Sequence, residues 1–578
     1  MRMHTNTYLI EKVLHGHLAV TILVTLTATL SMVINGLITG QVLGSDALVA
    51  FGLASPVFIL LGAASGIFSN GGSIKCANHI GRGDMAMVRL NFTVTTLASI
   101  LVGLAYLVFC LLFADVLAGV FGAGAGIESM TADYIRGLGV SAIPFLLLQN
   151  LLIYMRMDSN QRISLISMIV VIIINTAAAY CSAAFTNLGL FGIGLSIMVG
   201  NLAGLALALT HFRRKERMLR FCSPSGCKGE LKDICLAGLP TAINRGSQTI
   251  KNLVLNIFLL SLSGSAAVLA LSVQTNVYQF LIAISTGYGL MVATMCGIFF
   301  GERDKRAITD TLRVTLRSGI ILSSIVAVLL IIFAEPVARM FIADGGDLAL
   351  ATRCLRIFAF SQPTSTVCLI FLYMYQTMGN LVMSNIISLS RGALYVILVS
   401  VVLAPFIGLD GVWLSFVLAD VLSVLTIIAY IKARTKKFPH HIEDFVVAAH
   451  GAFAVDTVCE ISIPNKIEYV TGLTQRISGA CVEHGVSQDK ADRVALCIEE
   501  MAGNVVDHAF SDDKEHYIDI RVVKDGDDVI FRMRDDGVRF NPMTAETEEH
   551  LGIKVVRAAA KKIDYSYSVK LNNLTVTV

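Results

Sequence analysis

Charge is the scarce ingredient of this chain: 15% of its 578 residues are Asp, Glu, Lys or Arg, and 55% are hydrophobic. Globular domains carry about 25% charged residues, so an ordinary soluble protein is excluded for most of the length. There is no G-x-x-x-x-G-K-[ST] phosphate loop, which excludes a pump driven by that kind of ATP site. No small-residue cleavage site follows the first apolar stretch, so the opening with Arg2 and Lys12 predicts a retained first span rather than a secretory signal. The 12 cysteines are scattered, mostly inside apolar runs, and give no disulfide framework. Cys222, Cys227 and Cys235 lie near His211 but match no zinc spacing.

What fills the sequence instead is apolar runs of about 20 residues, long enough to cross a bilayer as helix. Backbone polar groups in hydrocarbon leave helices as the solution. Twelve spans are predicted, roughly 18–40, 50–74, 91–115, 131–155, 163–185, 190–211, 231–262, 268–298, 312–333, 350–376, 384–405 and 410–432. Pro56, Pro144, Pro240 and Pro363 fall where they bend helices. The formal net charge of +3 conceals two opposite halves. Up to Lys437, 30 Lys and Arg stand against 18 Asp and Glu; from Phe438 onward, 15 stand against 24. With the N-terminus inside, 23 of those 30 basic residues fall on inner loops and ends and four on outer loops. That asymmetry predicts a multi-pass protein of the inner (plasma) membrane with the C-terminal module in the cytoplasm.

The membrane part repeats itself at an offset of 219 to 220 residues. Ser45 to Asp84 lies without a gap over Ser265 to Asp304, and Gly189 to Ser196 over Gly408 to Ser415. Two parallel six-helix lobes follow, with substrate expected between them and access alternating by rocking. Ionisable and amide residues inside spans are costly in lipid and natural along a cavity. Asn244, Arg245, Gln248, Asn252 and Asn256 recur at helical spacing in the seventh span, together with Lys251, and Asp420 lies in the twelfth, facing the repeat position held by Asn201. The structural alternatives are snorkelling, a pairing of Arg245 with Asp420, and interhelical packing.

The stretches Met32 to Gln41 and Asp46 to Pro56, the Gly81-Arg-Gly-Asp84 loop, Leu239-Pro240 and Gly408 to Trp413 together resemble multidrug and toxic compound extrusion (MATE) transporters over residues 10–435. The resemblance implies ion-coupled export, on a proton or sodium gradient, of a small organic compound of cationic or amphipathic character. Where the family commonly has a Val-Asp pair in the first span, this chain has Ile34-Asn35, and Asn35 can hydrogen-bond but cannot titrate.

Beyond a charged linker with Pro439 and two adjacent histidines, the pattern turns to a strand at 459–464, helices at 466–484 and 488–509, a hairpin of 517–523 and 529–534, a helix at 550–563 and a second hairpin from Tyr565 turning at Asn572-Asn573. On the second helix Glu500, Asn504 and His508 share one face at i, i+4, i+8. A carboxylate there can act as a general base and an amide oxygen can hold Mg²⁺; an ordinary polar helix face reads the same. Asp535, at a strand's end before Gly537, can accept from an adenine amino group or belong to an acidic turn. Gly552 opens a helix where free N–H groups favour phosphate.

Taken together, Glu499 to His508, Arg534 to Pro542 and Leu551 to Arg557 resemble the GHKL ATP-binding fold, closest to serine kinases that act as anti-sigma factors, over residues 456–578. The resemblance implies ATP and Mg²⁺ as cofactors, Glu500 as catalytic base, Asn504 as Mg²⁺ ligand, Asp535 as adenine contact, Gly537 and Gly552 as close-approach positions and Thr575 near the base. Arg539 and His550 stand where glycines are usual, and 543–549 makes a short acidic lid.

The expected fold is mainly α: a polytopic membrane protein of twelve helices in two six-helix lobes, plus an α+β sandwich of GHKL (Bergerat) type. The divisions expected are 1–211, an inner connection 212–230, 231–437, a linker 438–455 and the module 456–578. Two functions compete: a transporter with the module as ATP-binding regulator, or a membrane ligand sensor whose serine-kinase-like module acts on an anti-sigma-factor antagonist. The partners expected are the bilayer, a small organic compound and such a cytosolic protein; no nucleic acid is expected.

Overall fold

The computed structural model describes residues 7–121, 126–214, 217–342, 346–447, 453, 455–512, 514–543 and 551–578. His550 and lid residues 544–549 lie outside them. Among the described residues, ten helices are long and apolar enough to cross a membrane, eleven when one bent pair is a single span. The first lobe holds α1 (Tyr8–Leu43), α2 (Ser55–Gly81), α3 (Met85–Val120), α4 (Glu128–Met157), α5 (Gln161–Phe185) and α6 (Gly189–Arg213). The second holds α7 (Cys227–Ser263), α8 (Ser265–Gly301), α9 (Lys305–Ile332), α10 (Asp347–Ala359 and Ser361–Thr377, bent by 46°), α11 (Leu381–Ile407) and α12 (Leu409–Thr435). The twelfth segment is α7, 37 residues long, whose buried face carries Asn244 and Lys251 among apolar positions. The second span begins later than the expected residue 50: a separate helix Ser45–Leu53 precedes it, and Pro56 sits in the first turn of α2, where a missing N–H costs nothing.

The repeat is visible in backbone detail. Asp84 and Asp304 cap α3 and α9 identically, each carboxylate accepting from the backbone N–H three residues on, at 3.0 and 2.9 Å. The loops before them turn through positive φ at Gly83 and Arg303. At this end the lobes are sealed against each other: a Cβ on Gly81 would stand 1.9 Å from Ile298 O, and one on Gly301 2.2 Å from Asn78 O. Only glycine allows backbones this close.

The module is a five-stranded antiparallel sheet of β1 (Asp456–Pro464), β2 (Tyr517–Asp525), β3 (Asp528–Asp535), β4 (Lys562–Ser568) and β5 (Leu571–Thr577), in the order β1-β2-β3-β5-β4. Helices α13 (Leu473–Glu483), α14 (Gln488–His508) and α15 (Leu551–Ala559) belong to it. Strand alternation divides its residues. Ile461, Ile520, Phe531, Met533, Leu574 and Val576 build a core with Val494, Ile498 and Met501 of α14. Glu460, Asp519, Arg521, Arg532 and Arg534 occupy the opposite face. The last hairpin turns at Val569-Lys570, not at the expected Asn572-Asn573: both turn residues have positive φ, 49° and 63°. Neither residue favours that conformation. Contacts to the bundle hold it, Val569 N–H donating to Met157 O at 3.4 Å and Lys570 N–H to Ser159 Oγ at 2.9 Å.

The charged sheet face is covered by the bundle. Arg521 donates to the carbonyls of Glu302 and Arg303 at 3.2 and 3.1 Å, and Arg532 donates to Glu302 O. Arg534 pairs with Glu302, lies 3.5 Å from Asp304, and stacks over Phe299 at 4.6 Å. Glu460 bridges Arg306 and Arg521 at 3.0 and 3.1 Å. The first lobe is touched as well: Lys12 pairs with Asp536, and Asp564 packs on Gly83, where an added Cβ would meet its Oδ2 at 3.0 Å.

Candidate functional site

Four elements, α14, β3, β4 and β5, converge on a cavity of about 120 Å³ in the module, lined among others by Asn504, His508, Asp535, Arg539, Tyr565 and Asn572. Register explains the last of these, because Asp535 of β3 lies opposite Asn572 of β5. Asp535 Oδ1 accepts from Asn572 Nδ2 at 2.7 Å and from Gly537 N–H at 2.9 Å. Neither bond uses Oδ2. Burial pushes the Asp535 carboxyl up to about 6, partly opposed by those two donors. Gly537 is required by packing, since a Cβ there would stand 2.5 Å from Ala509 Cβ. Gly552, at the start of α15, lies against the α14 face: its Cβ would meet Glu500 Oε2 at 2.3 Å and Asn504 Nδ2 at 3.2 Å. Asn504 Nδ2 is buried with no acceptor among the described residues.

Five of the six expected module residues therefore come together: Glu500, Asn504, Asp535, Gly537 and Gly552. Thr575 does not. It alternates with Leu574 and Val576 on β5 and shares the bundle-facing side with its cross-strand partner Arg532. Asn572, not Thr575, is the β5 residue that lines the cavity beside Asp535. The signal was available in the sequence, because 572, 574 and 576 share one strand face. Arg539, where a glycine was usual, lines the cavity and stacks over Tyr567 at 5.3 Å.

In the membrane part the expected cavity residues fall into separate groups. Asn35 is 3% exposed and satisfied by Asn175, whose Nδ2 donates to Asn35 Oδ1 at 2.8 Å and to Ser31 Oγ at 2.9 Å. Ser196 donates to Asn175 Oδ1 at 3.1 Å, which closes a neutral cluster. The seventh-span stripe divides. Asn244, Ser247 and Lys251 are buried, with Gly392 of a π-helical turn in α11, Ser390–Leu394, packed on Ser247. Arg245 and Asn256 are exposed, Gln248 and Asn252 half-buried, and the Arg245 side chain reaches to within 4.0 Å of a Cβ built on Gly62 of the other lobe. Gln248 Nε2 donates to Asn244 Oδ1 at 2.7 Å. Asp420 pairs with Arg391 rather than Arg245: Arg391 Nε lies 2.8 Å from its Oδ1, and Arg391 also donates to Ser365. Arg391 is the residue sequence reasoning missed. It is the third basic residue inside a span, beside Arg245 and Lys251, and Asp420 is the carboxylate farthest from any span end.

The MatE family profile matches residues 21–181 and 240–402, one segment in each lobe. The chain belongs to the MatE family. Among its relatives, the multidrug export protein MepA of Staphylococcus haemolyticus is 24% identical over 386 residues, covering 66% of this chain and 84% of that protein. MepA of Staphylococcus aureus is 22% identical over 391 residues, covering 67% and 85%. An outward-facing multidrug resistance MATE family transporter of the MOP superfamily superimposes with a TM-score of 0.69 at 18% identity, over 75% of this chain and 98% of that one. A MOP superfamily transporter from Pyrococcus furiosus, described as having a binding pocket of reversed polarity, gives 0.69 at 17% identity, over 78% and 100%. Residues 463–578 match the histidine kinase-like ATPase domain. This MatE-family member is thus a multi-pass membrane transporter with an ATPase-type domain joined to its last span.

Proposed function

We propose that the chain is an ion-coupled exporter of amphipathic organic compounds in the plasma membrane, gated by ATP binding to its module on the cytoplasmic side. One observation carries the gating. Three consecutive residues at the end of β3 reach three places: Arg534 pairs with Glu302 of the second lobe, Asp535 lines the cavity, and Asp536 pairs with Lys12 of the first lobe. Rocking the lobes apart at this end breaks one of these contacts, so the docked module is a clamp.

ATP and Mg²⁺ suit the residues present. Asp535 Oδ2 is available to an adenine amino group, the unpaired Asn504 Nδ2 can donate to a phosphate oxygen while the amide oxygen of the same residue would be the Mg²⁺ ligand, and Glu500 lies under the Gly552 helix start, where free N–H groups meet phosphate. Bound ATP would supply binding energy and, where Glu500 acts as general base, a transferable phosphoryl group. Asn35 and Asn175 cannot titrate, so the coupling ion is not a proton held there. Asp420 would serve proton or sodium coupling only in a state in which it gives up its pair with Arg391.

A second reading is favoured by that same neutral cluster: the spans sense a ligand and the module phosphorylates a cytosolic anti-sigma-factor-antagonist-like protein. Proteoliposome flux of the full chain under imposed proton and sodium gradients, with and without internal ATP, separates the two. Gradient-driven flux altered by ATP and insensitive to ATP in Asn504→Ala supports the gated exporter. No flux under either gradient, with ligand-dependent phosphorylation by the module, would overturn it.

A further inference from the structure

We infer that the second lobe, at Lys251 of α7, takes an organic anion, a carboxylate or sulfonate on an apolar body, rather than the cation expected from the family resemblance. The inference deepens the exporter reading and rests on it for movement, not for binding. Its ground is an uncompensated positive charge. Asp420 is consumed by Arg391, their side chains 7% and 6% exposed and 2.8 Å apart. That leaves Lys251, which is 8% exposed and makes no hydrogen bond or ion pair among the described residues. Its Nζ lies 5.5 Å from the Tyr278 ring centre and 5.1 Å from that of Phe416. Cation–π attraction offsets only part of the cost of burying an ammonium.

Hydrogen-bond donors around it are also in surplus. Asn244 lies two turns before Lys251 on the same face of α7; its Oδ1 accepts from Gln248, and its Nδ2 is buried with no acceptor. The indole N–H of Trp413, one turn before Phe416 on α12, is fully buried and also without an acceptor. Trp413, Phe416 and Asp420 share one face of α12 at i, i+3, i+7. The ammonium between the Tyr278 and Phe416 rings calls for an acceptor bearing negative charge, and the orphan donors farther along α7 and α12 add to the surplus of donors over acceptors on these two helix faces among the described residues. The first lobe offers no counterpart, because Ser31, 220 residues before Lys251, belongs to the closed amide cluster of Asn35 and Asn175. Arg245, facing the other lobe, adds a further cation at the cleft. The aromatic walls set the rest of the ligand: an apolar, ring-bearing body.

Trp413 is the chain's one tryptophan and reports on this lobe directly. The full chain in lipid nanodiscs is titrated with dansylglycine, an anion, and with dansylcadaverine, a cation carrying the same fluorophore, while energy transfer from Trp413 is read. Saturable transfer is expected with dansylglycine, displaced by unlabelled phenylacetate. Lys251→Gln should weaken it by at least about tenfold, the loss of one charged hydrogen bond, whereas Lys251→Arg should retain it and shows that the lobe still folds. Saturable binding of dansylcadaverine instead, of neither dye, or of dansylglycine undiminished in Lys251→Gln overturns the inference. Proteoliposome flux of the two dyes keeps the readings apart. Dansylglycine bound but never moved sinks the exporter and leaves the site; dansylcadaverine moved alone sinks the site and leaves the exporter.

Discussion

Removing either side of the Arg534–Glu302 contact should release the module from the second lobe. The two side chains are 11% and 5% exposed, so the pair is buried when docked. Arg534 also lies 3.5 Å from Asp304 and stacks on Phe299, so Arg534→Ala leaves Glu302 covered by the sheet without its paired cation, while Asp304 keeps Arg521 at 3.8 Å. Breaking one side of a buried pair costs about 3–5 kcal/mol, which lowers the docked-to-free ratio by about two to four orders of magnitude. The linker still holds the module at an effective concentration near the millimolar range, so release is partial rather than complete. Hydrogen exchange in nanodiscs reads this at residues 299–306 and 519–534, where both single variants should speed exchange by about a hundredfold. The exchanged pair Arg534→Glu with Glu302→Arg should recover a coupling of about 1–3 kcal/mol relative to the sum of the singles. Exchange changed less than about threefold by both singles would refute the clamp, because the contact would then contribute nothing to docking.

Three further outcomes follow from the same geometry. Gly81→Ala places a Cβ 1.9 Å from Ile298 O, an overpacking that costs about 1–3 kcal/mol only while the lobes are sealed; spin-label distances across the lobes should widen at this end, and unchanged distances would count against the seal. Burial pushes Asp519, on the docked sheet face, up to about 7, against about 3.9 in water. The docked form therefore holds an extra proton between about pH 4 and 7, so docking weakens as pH rises through that window, and Asp519→Asn should flatten the dependence in the same exchange assay. Asp535, raised to about 6, should lose its acceptor strength as it protonates. Adenosine binding to the full chain, measured calorimetrically, should fall between pH 7 and 5, and Asp535→Asn should remove that pH response.

The fold was legible wherever a period was long and unopposed. Apolar runs and the repeat gave the lobes, and alternation gave the sheet, because both signals are local. What escaped was set by partners distant in sequence. Val569-Lys570 is a poor hairpin turn by residue type, and the choice is made by Met157 and Ser159, more than four hundred residues upstream. Arg391 was invisible as a site residue because its meaning comes from Asp420 on the neighbouring helix. In the module the motifs led to neighbouring residues, Asn504 and Asp535 lining one cavity and Glu500 beside Asn504 under Gly552, since each lies on an element whose period fixes its face. Thr575 failed by a single position, and a single position on a strand is a change of side.

That alternation also makes the module an economical clamp. A sheet with one face committed to helices must leave the other to water or to a partner, and here three arginines and two carboxylates on that second face match the Glu302 to Arg306 loop of the second lobe. The cavity opens on the helix-covered face, so Asp535 and its neighbours Arg534 and Asp536 point to opposite sides of the same strand end. A base seated on Asp535 and Gly537 cannot displace that strand end without moving both lobe contacts. On the proposed gating, occupancy of the cavity and the spacing of the lobes would be coupled through three adjacent residues, with no long chain of intermediates required.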